Sequence, residues 1–392
     1  MRHGLGSMTR RGTATAVAAG LALGLAQVPA QADKGGPPRS KEIRAHMDEL
    51  VSSEAATAII ARTGGGKKEW SGSAGVSDLE SGGPADPEGH FRIGSNTKTF
   101  VATVLLQLVD EGALSLDDPV ERHLPGTVPN GEAITVRQIL NHTSGLYNYS
   151  SVPGYEIGSW RGDDRFTTYH PEELLGAAFE NDPYFEPGEG WHYSNTNFIV
   201  SGMLIERLTG NAYGDEIRAR ILDPLDLNDT SLPGTDHTLP DPHARGYTPV
   251  EGEGYRDATE YNPSIGWAAG EMISTTADLG RFLTALLGGD LMSSESLEAM
   301  KDTVDTGGED SAYGLGLIEY KLDCGESVFG HGGTEVAYVS GMTQAEDGRQ
   351  FVYAASLHKL ENAPPGARDA LLDAAYCPPD HPGEGKPGRP GK

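Results

Sequence analysis

The chain has 392 residues, enough for two lobes around a sizeable core, and its 57 acidic against 30 basic side chains give a formal charge of -27. Such a surface repels nucleic acid and anionic lipid, which sets aside polyanion-binding functions without fixing a fold. Two cysteines exclude a disulfide-rich scaffold, and the histidines show no ligand spacing, so neither a metal site nor a cofactor is expected.

Residues 1–32 read as a secretory signal peptide. Arg2, Arg10 and Arg11 precede an apolar run from Ala14 to Ala26, and Ala30-Gln31-Ala32 is a small-x-small cleavage site. The run is too short to span a bilayer and no cysteine stands near the site to take a lipid, so the expected product is freely secreted, with no membrane anchor. Residues 33–40 form a flexible leader. Ser40 can cap a helix that carries Ile43, Met47, Leu50 and Val51 on one face. Two strand-like runs follow, Ala56 to Thr63 and Lys68 to Val76, parted by a Gly64-Gly65-Gly66 hairpin signal.

In Phe91 to Gly112 a short strand-like run gives way to a helical pattern of Val101, Val104, Leu105, Leu108 and Val109. Ser95 stands at the helix start and Lys98 follows three residues later, a step that brings both side chains to one face. A serine hydroxyl attacks only when something takes its proton, and a partly desolvated lysine does so because burial lowers its pKa. The alternative is a capping serine beside a solvated lysine. Ser-x-x-Lys recurs at Ser356 and Lys359, but behind a strand-like run, where the lysine points away from the serine.

From Leu114 to about Pro263 the pattern is one of helices and long loops. Asn141, His142 and Ser144, at the end of a short helix opened by Thr135, are expected to satisfy backbone groups. Residues 147–190 are expected to form loops over a site. Phe198 to Leu208 reads as a buried helix, with Tyr193-Ser194-Asn195 on the loop before it. Tyr193 can relay a proton if neighbouring cations lower its pKa, and Asn195 can hydrogen-bond a substrate amide. After a helix over Thr275 to Leu287 the pattern returns to strands, Tyr313 to Tyr320, Ser327 to Gly330, Glu335 to Thr343 and Arg349 to Leu357, and then to a helix over Ala367 to Tyr376. Cys324 and Cys377, an even pair in an exported protein, read as one disulfide. The tail 378–392 is Pro- and Gly-rich and reads as disordered.

Strands and helices at both ends with helices between them predict an α/β fold. An antiparallel sheet is flanked by the N- and C-terminal helices, and an all-helical lobe is inserted. The domain is expected over 41–377, its α/β lobe about 41–94 and 265–377 and its helical lobe about 95–264. In the late strands, His331-Gly332-Gly333-Thr334 lets another backbone approach. His331 would then face the cleft, and the Thr334 N–H could join that of Ser95 as an oxyanion hole.

Ser95-x-x-Lys98, Tyr193-x-Asn195 and His331-x-Gly333, in this order, resemble the motifs of the serine β-lactamase and penicillin-binding-protein superfamily. Within it the chain is most similar to secreted D-alanyl-D-alanine carboxypeptidases of actinomycetes and to class C β-lactamases. The resemblance implies an acyl-enzyme on Ser95, proton exchange by Lys98 and Tyr193, and a substrate amide held by Asn195. It also implies that His331 lends positive charge or hydrogen bonds, that Gly333 and Thr334 line the substrate site, and that a disulfide is similarly placed. Two positions depart from the carboxypeptidases. Gly332 lacks the hydroxyl usual there, and Ile318 stands where they carry an arginine for the substrate carboxylate, which is costly to bury without a cation.

The leading expectation is a secreted, monomeric carboxypeptidase of D-Ala-D-Ala type, with peptidoglycan stem peptides and β-lactams among its ligands. Esterase, D-aminopeptidase or D-amino-acid amidase activity on the same site comes next, then β-lactamase. A silent penicillin- or peptidoglycan-binding protein is the non-enzyme alternative.

Overall fold

The computed structural model describes residues 39–66, 68–308 and 310–378. The expected signal peptide, most of the leader and the tail beyond Pro378 lie outside the described residues. Helix α1 (Ser40–Ser52) buries Ile43 and Met47, four apart and so on one face. Ser40 is its first residue rather than its cap, the N-cap position falling to Arg39. Strands β1 (Ala56–Gly64) and β2 (Trp70–Gly75) form the expected hairpin, Thr63 opposite Trp70. The short β3 (Phe91–Arg92) leads through a single 3-10 turn into α2 (Thr97–Asp110). Apolar side chains all round α2 make it a fully buried central helix, with Phe100, Val101, Val104, Leu105 and Leu106 at 0% exposure.

Helices α3 (Val120–His123), α4 (Val136–Leu140), α5 (Pro171–Phe179), α6 (Asn195–Thr209) and α7 (Tyr213–Ile217) make up the insertion. Thr135 caps α4 through a full capping box with Gln138. The insertion also holds a hairpin that the sequence reading missed, β4 (Tyr247–Val250) with β5 (Gly254–Asp257). Each strand is four residues long, too short for alternation to stand out from loop sequence.

Strand β6 (Ile273–Ser274) pairs with β3, and α8 (Thr276–Leu287) follows, capped by the Thr275 hydroxyl. After α9 (Ser294–Lys301) come β7 (Val304–Asp305), β8 (Ser311–Tyr313), β9 (Ile318–Lys321), β10 (Ser327–Thr334), β11 (Tyr338–Ala345) and β12 (Gln350–Leu357). Helix α10 (Ala367–Tyr376) ends the described chain, and Cys377 is bonded to Cys324. The eight-stranded sheet runs β2-β1-β12-β11-β10-β9-β8-β7, so β1 from the start of the domain pairs antiparallel with β12 from its end.

Alternation along β12 shows the layers. Phe351, Tyr353 and Ala355 face a core built with Ile43 and Met47 of α1 and Leu371 of α10, while Val352 and Ala354 face the core of Phe100, Phe282 and Leu283. The mixed α/β architecture and antiparallel sheet are as expected from the sequence. Two strands differ in extent. The run read as Tyr313 to Tyr320 splits where Gly314 N–H donates to the Leu317 carbonyl at 2.7 Å, and β10 continues through Thr334, leaving Glu335 in the turn.

Candidate active site

Ser95 sits in the 3-10 turn (Gly94–Asn96) that opens α2. Gly94 makes that turn possible: its φ is +50°, and a Cβ there would stand 2.9 Å from the Thr334 amide nitrogen. The backbone carrying Ser95 is thus pressed against the end of β10. One turn into the helix, Lys98 is wholly buried, with Nζ 2.9 Å from Ser95 Oγ, 2.8 Å from Asn195 Oδ1 and 2.6 Å from the Ala269 carbonyl oxygen. Burial pulls the Lys98 amine down to about 7, an effect that Glu335 opposes. Two of its three neighbours are pure acceptors and hold N–H groups. The third is a hydroxyl, so when Lys98 is neutral its lone pair falls on the Ser95 side, as a base for Ser95 requires. The second match, at Ser356 and Lys359, does not converge. Ser356 lies in β12, whereas Lys359 pairs with Glu54 at 2.6 Å.

Tyr193 stands just before α6 and lines the same cleft as Ser95. Its ring packs on His142 at 4.4 Å and lies 5.1 Å from Lys98 Nζ. Burial raises its pKa, so Tyr193 is a neutral phenol near pH 7, and the lowering by neighbouring cations that the sequence left open does not occur. His142 has φ +63° and accepts at Nδ1 from the Ser194 amide at 3.2 Å and Asn197 Nδ2 at 3.0 Å. Ser144 Oγ donates to Asn197 Oδ1 at 2.6 Å. These residues hold the start of α6, the structural role expected of them. Asn195 is the first residue of α6 rather than a loop residue. Its side-chain oxygen is engaged by Lys98 and its Nδ2 donates to Ser150 Oγ at 2.9 Å, so the amide read as a substrate ligand is already paired at both ends.

His331 lies within β10, and its Nδ1–H donates to the Gly332 carbonyl at 2.6 Å, leaving Nε2 to accept from Tyr313 OH at 3.0 Å. Burial, and then Lys98, hold its pKa down at about 3. It is a neutral hydrogen-bonding group at neutral pH, so of the two contributions implied for it, positive charge or hydrogen bonds, it is left with the hydrogen bonds. Strand β9 pairs with β10 only as far as Gly330, so the edge beyond it is open. Glu335 N–H donates to the Tyr338 carbonyl at 2.8 Å, and in an antiparallel ladder the pairing alternates, which turns the Thr334 N–H away from β11 toward Ser95. A Cβ on Gly333 would stand 1.9 Å from the Ile93 carbonyl oxygen, so this position also has no room for a side chain.

The cleft has a volume of about 330 Å³ and brings Ser95, Tyr193, Asn195, His331, Gly332 and Thr334 to one wall. Ser150, Tyr320 and Glu335, which sequence reasoning did not single out, line it as well. Only Glu335 carried a legible sign, as an acid one residue beyond His331-Gly-Gly-Thr. Among the described residues no group of three or more acidic, histidine or cysteine side chains could hold a metal.

Residues 41–376 match the sequence model of the family described as Beta-lactamase. The chain belongs to the Beta-lactamase family. That is the β-lactamase and penicillin-binding-protein grouping that the resemblance implied. A penicillin-binding protein of Bacillus subtilis is 30% identical over 304 residues, which cover 73% of this chain and 64% of that relative, so the chain spans under two thirds of the relative's length. A solved D-stereospecific amidohydrolase from a Streptomyces species superposes with a TM-score of 0.79 at 37% identity, covering 86% of this chain and 98% of that one. The D-amino acid amidase of Ochrobactrum anthropi SV3, complexed with L-phenylalanine amide, gives a TM-score of 0.75 at 29% identity over 86% and 98% of the two chains. No described helix of this member of the family is long and apolar enough to cross a membrane.

Proposed function

We propose that this chain is a secreted hydrolase of D-amino-acid amides and esters, acting through an acyl group on Ser95. One observation carries the choice of substrate: beside the assembled Ser95, Lys98 and Tyr193, none of the described residues lining the cleft is arginine or lysine, and Arg368, which borders the adjoining cavity at Gly332, is paired with Asp369. A substrate carboxylate would be buried there without a cation, whereas a primary amide or ester has none to bury. The similarity to a D-stereospecific amidohydrolase and a D-amino acid amidase supports the same substrate class. The disulfide supports a secreted protein.

In the reaction, neutral Lys98 takes the Ser95 proton as Oγ bonds to the substrate carbonyl carbon. The Ser95 and Thr334 N–H groups stabilise the resulting oxyanion. Tyr193 passes a proton to the leaving nitrogen, the carbon–nitrogen bond breaks, and the phenol is restored through Lys98. Water then gives a proton to Lys98 as its oxygen bonds to the acyl carbon, and as the carbon–Oγ bond breaks Lys98 returns that proton to Ser95 Oγ, freeing the acid.

The carboxypeptidase reading stands second, supported by the penicillin-binding-protein relative. Ammonia release from D-phenylalanine amide and D-alanine release from an N-acyl-D-Ala-D-Ala peptide separate the two, with Ser95→Ala as the control. The account predicts Ser95-dependent ammonia and little D-alanine. D-Alanine release without ammonia would transfer the function to the second reading.

A further inference from the structure

Glu335 is an acid with no part in the acyl-transfer steps, yet it lines the same cleft and is only 4% exposed. Its position follows from the turn after β10, one residue beyond the Thr334 amide. Oε2 accepts from Tyr261 OH at 2.7 Å. Oε1 is on the side of Gly270, where an added Cβ would stand 3.0 Å from it and 3.8 Å from the Gly94 carbonyl carbon. The carboxylate is therefore about one side chain's breadth from the peptide that carries Ser95.

The cations that face Glu335, Lys98, Arg92 and Arg161, act on it through space and each has other hydrogen-bond partners, although Arg92 Nη1 is buried without one. Lys98 is held by Ser95, Asn195 and the Ala269 carbonyl. Arg92, on β3, stacks over Tyr261 at 4.1 Å and donates to the carbonyls of His237 and Thr259. Arg161 donates to Tyr169 OH at 2.9 Å. With His331 neutral, Glu335 is the one carboxyl, and the one side chain able to carry charge near neutrality, among the described residues lining the cleft. Burial also raises its carboxyl to about 7, the condition of an acid that gains from a cationic partner.

We propose that Glu335 receives the free α-ammonium of the substrate, so that the cleft selects D-aminoacyl compounds with an unblocked amine. The α-amino nitrogen is two bonds from the carbonyl carbon that Ser95 attacks, and the oxyanion donor Thr334 immediately precedes Glu335 in the chain. An ammonium there forms a charge-assisted hydrogen bond to Oε1 in a site shielded from water. An N-acylated substrate presents a neutral amide and leaves the carboxylate unpaired.

This inference rests on the proposed amidase and esterase activity, and the experiment separates the two. The ratio of kcat/KM for D-phenylalanine methyl ester to that for its N-acetyl derivative is measured in wild type, Glu335→Gln and Glu335→Asp. The wild type is expected to favour the free amine. The ratio is expected to fall about 10- to 100-fold in Glu335→Gln, the range for losing a hydrogen bond to a charged group, and to be partly kept in Glu335→Asp. Using a ratio cancels any general loss of folded or active protein. A wild type that turns over the N-acetyl ester as well as the free amine, or a ratio unmoved in Glu335→Gln, overturns this inference and leaves the esterase reading intact. Turnover of neither ester by wild type overturns both.

Discussion

Lys98 is where burial becomes chemistry. An amine held at about 7 is split between its two forms near neutrality, and only the neutral form has a lone pair for Ser95. Acylation is therefore expected to rise about tenfold per pH unit below 7 and to level off above it. Removing the charge of Glu335 removes what holds the Lys98 amine up, so Glu335→Gln is expected to move this rising limb to lower pH. A pH profile of kcat/KM for a D-aminoacyl ester, in both proteins, checks the pair. A limb unmoved by the substitution would mean that Glu335 does not act on Lys98. At this scale the sequence was legible wherever spacing along one helix or strand sets the chemistry, as for Ser95 with Lys98. It was not legible for protonation. Cations lowering the Tyr193 pKa and a positive charge on His331 were both open from the sequence, but burial governs both groups, and burial depends on neighbours distant in the chain. Glu335 was missed for the same reason, since its partner Tyr261 lies 74 residues away.

Among the elements, α2 holds the nucleophile still. Phe100 stacks on Phe282 of α8 with ring centroids 3.7 Å apart, both wholly buried, and so ties the helix that carries Lys98 to the helix lying on the sheet. Phe282→Ala is expected to lower stability by about 3–5 kcal/mol, read as a shift in the denaturation midpoint with an unchanged slope. A loss under about 1 kcal/mol would mean that the site collapses freely around the gap. The long helices were readable because their apolar residues recur over several turns, as in α2, α6 and α8. The reach of β10 was not, because three glycines and a histidine in it carry little strand preference, and pairing with β11 keeps them extended. The break between β8 and β9 is likewise set by a backbone bond from Gly314 to Leu317 that no alternation signals.

In the whole molecule, the pairing of β1 with β12 draws the ends of the domain together, and Gly94 before the helical insertion and Gly270 after it both lie against the end of β10 or the residue that follows it. That plan was visible as strands at both ends of the sequence, and the charge of -27 played no part in finding it. The cleft lies where the two parts meet, with Ser95 from the turn before α2, Tyr193 and Asn195 from the insertion and Thr334 from the sheet. The proposed reaction there passes through a covalent acyl-Ser95. The most direct test is to mix the enzyme with an ester of D-phenylalanine, quench in acid within the first turnovers, and weigh the intact protein before mapping its peptides. The account predicts one added D-phenylalanyl group, found on the peptide containing Ser95 and absent from Ser95→Ala. Turnover that persists in Ser95→Ala, or an acyl group mapped to another residue, would contradict it.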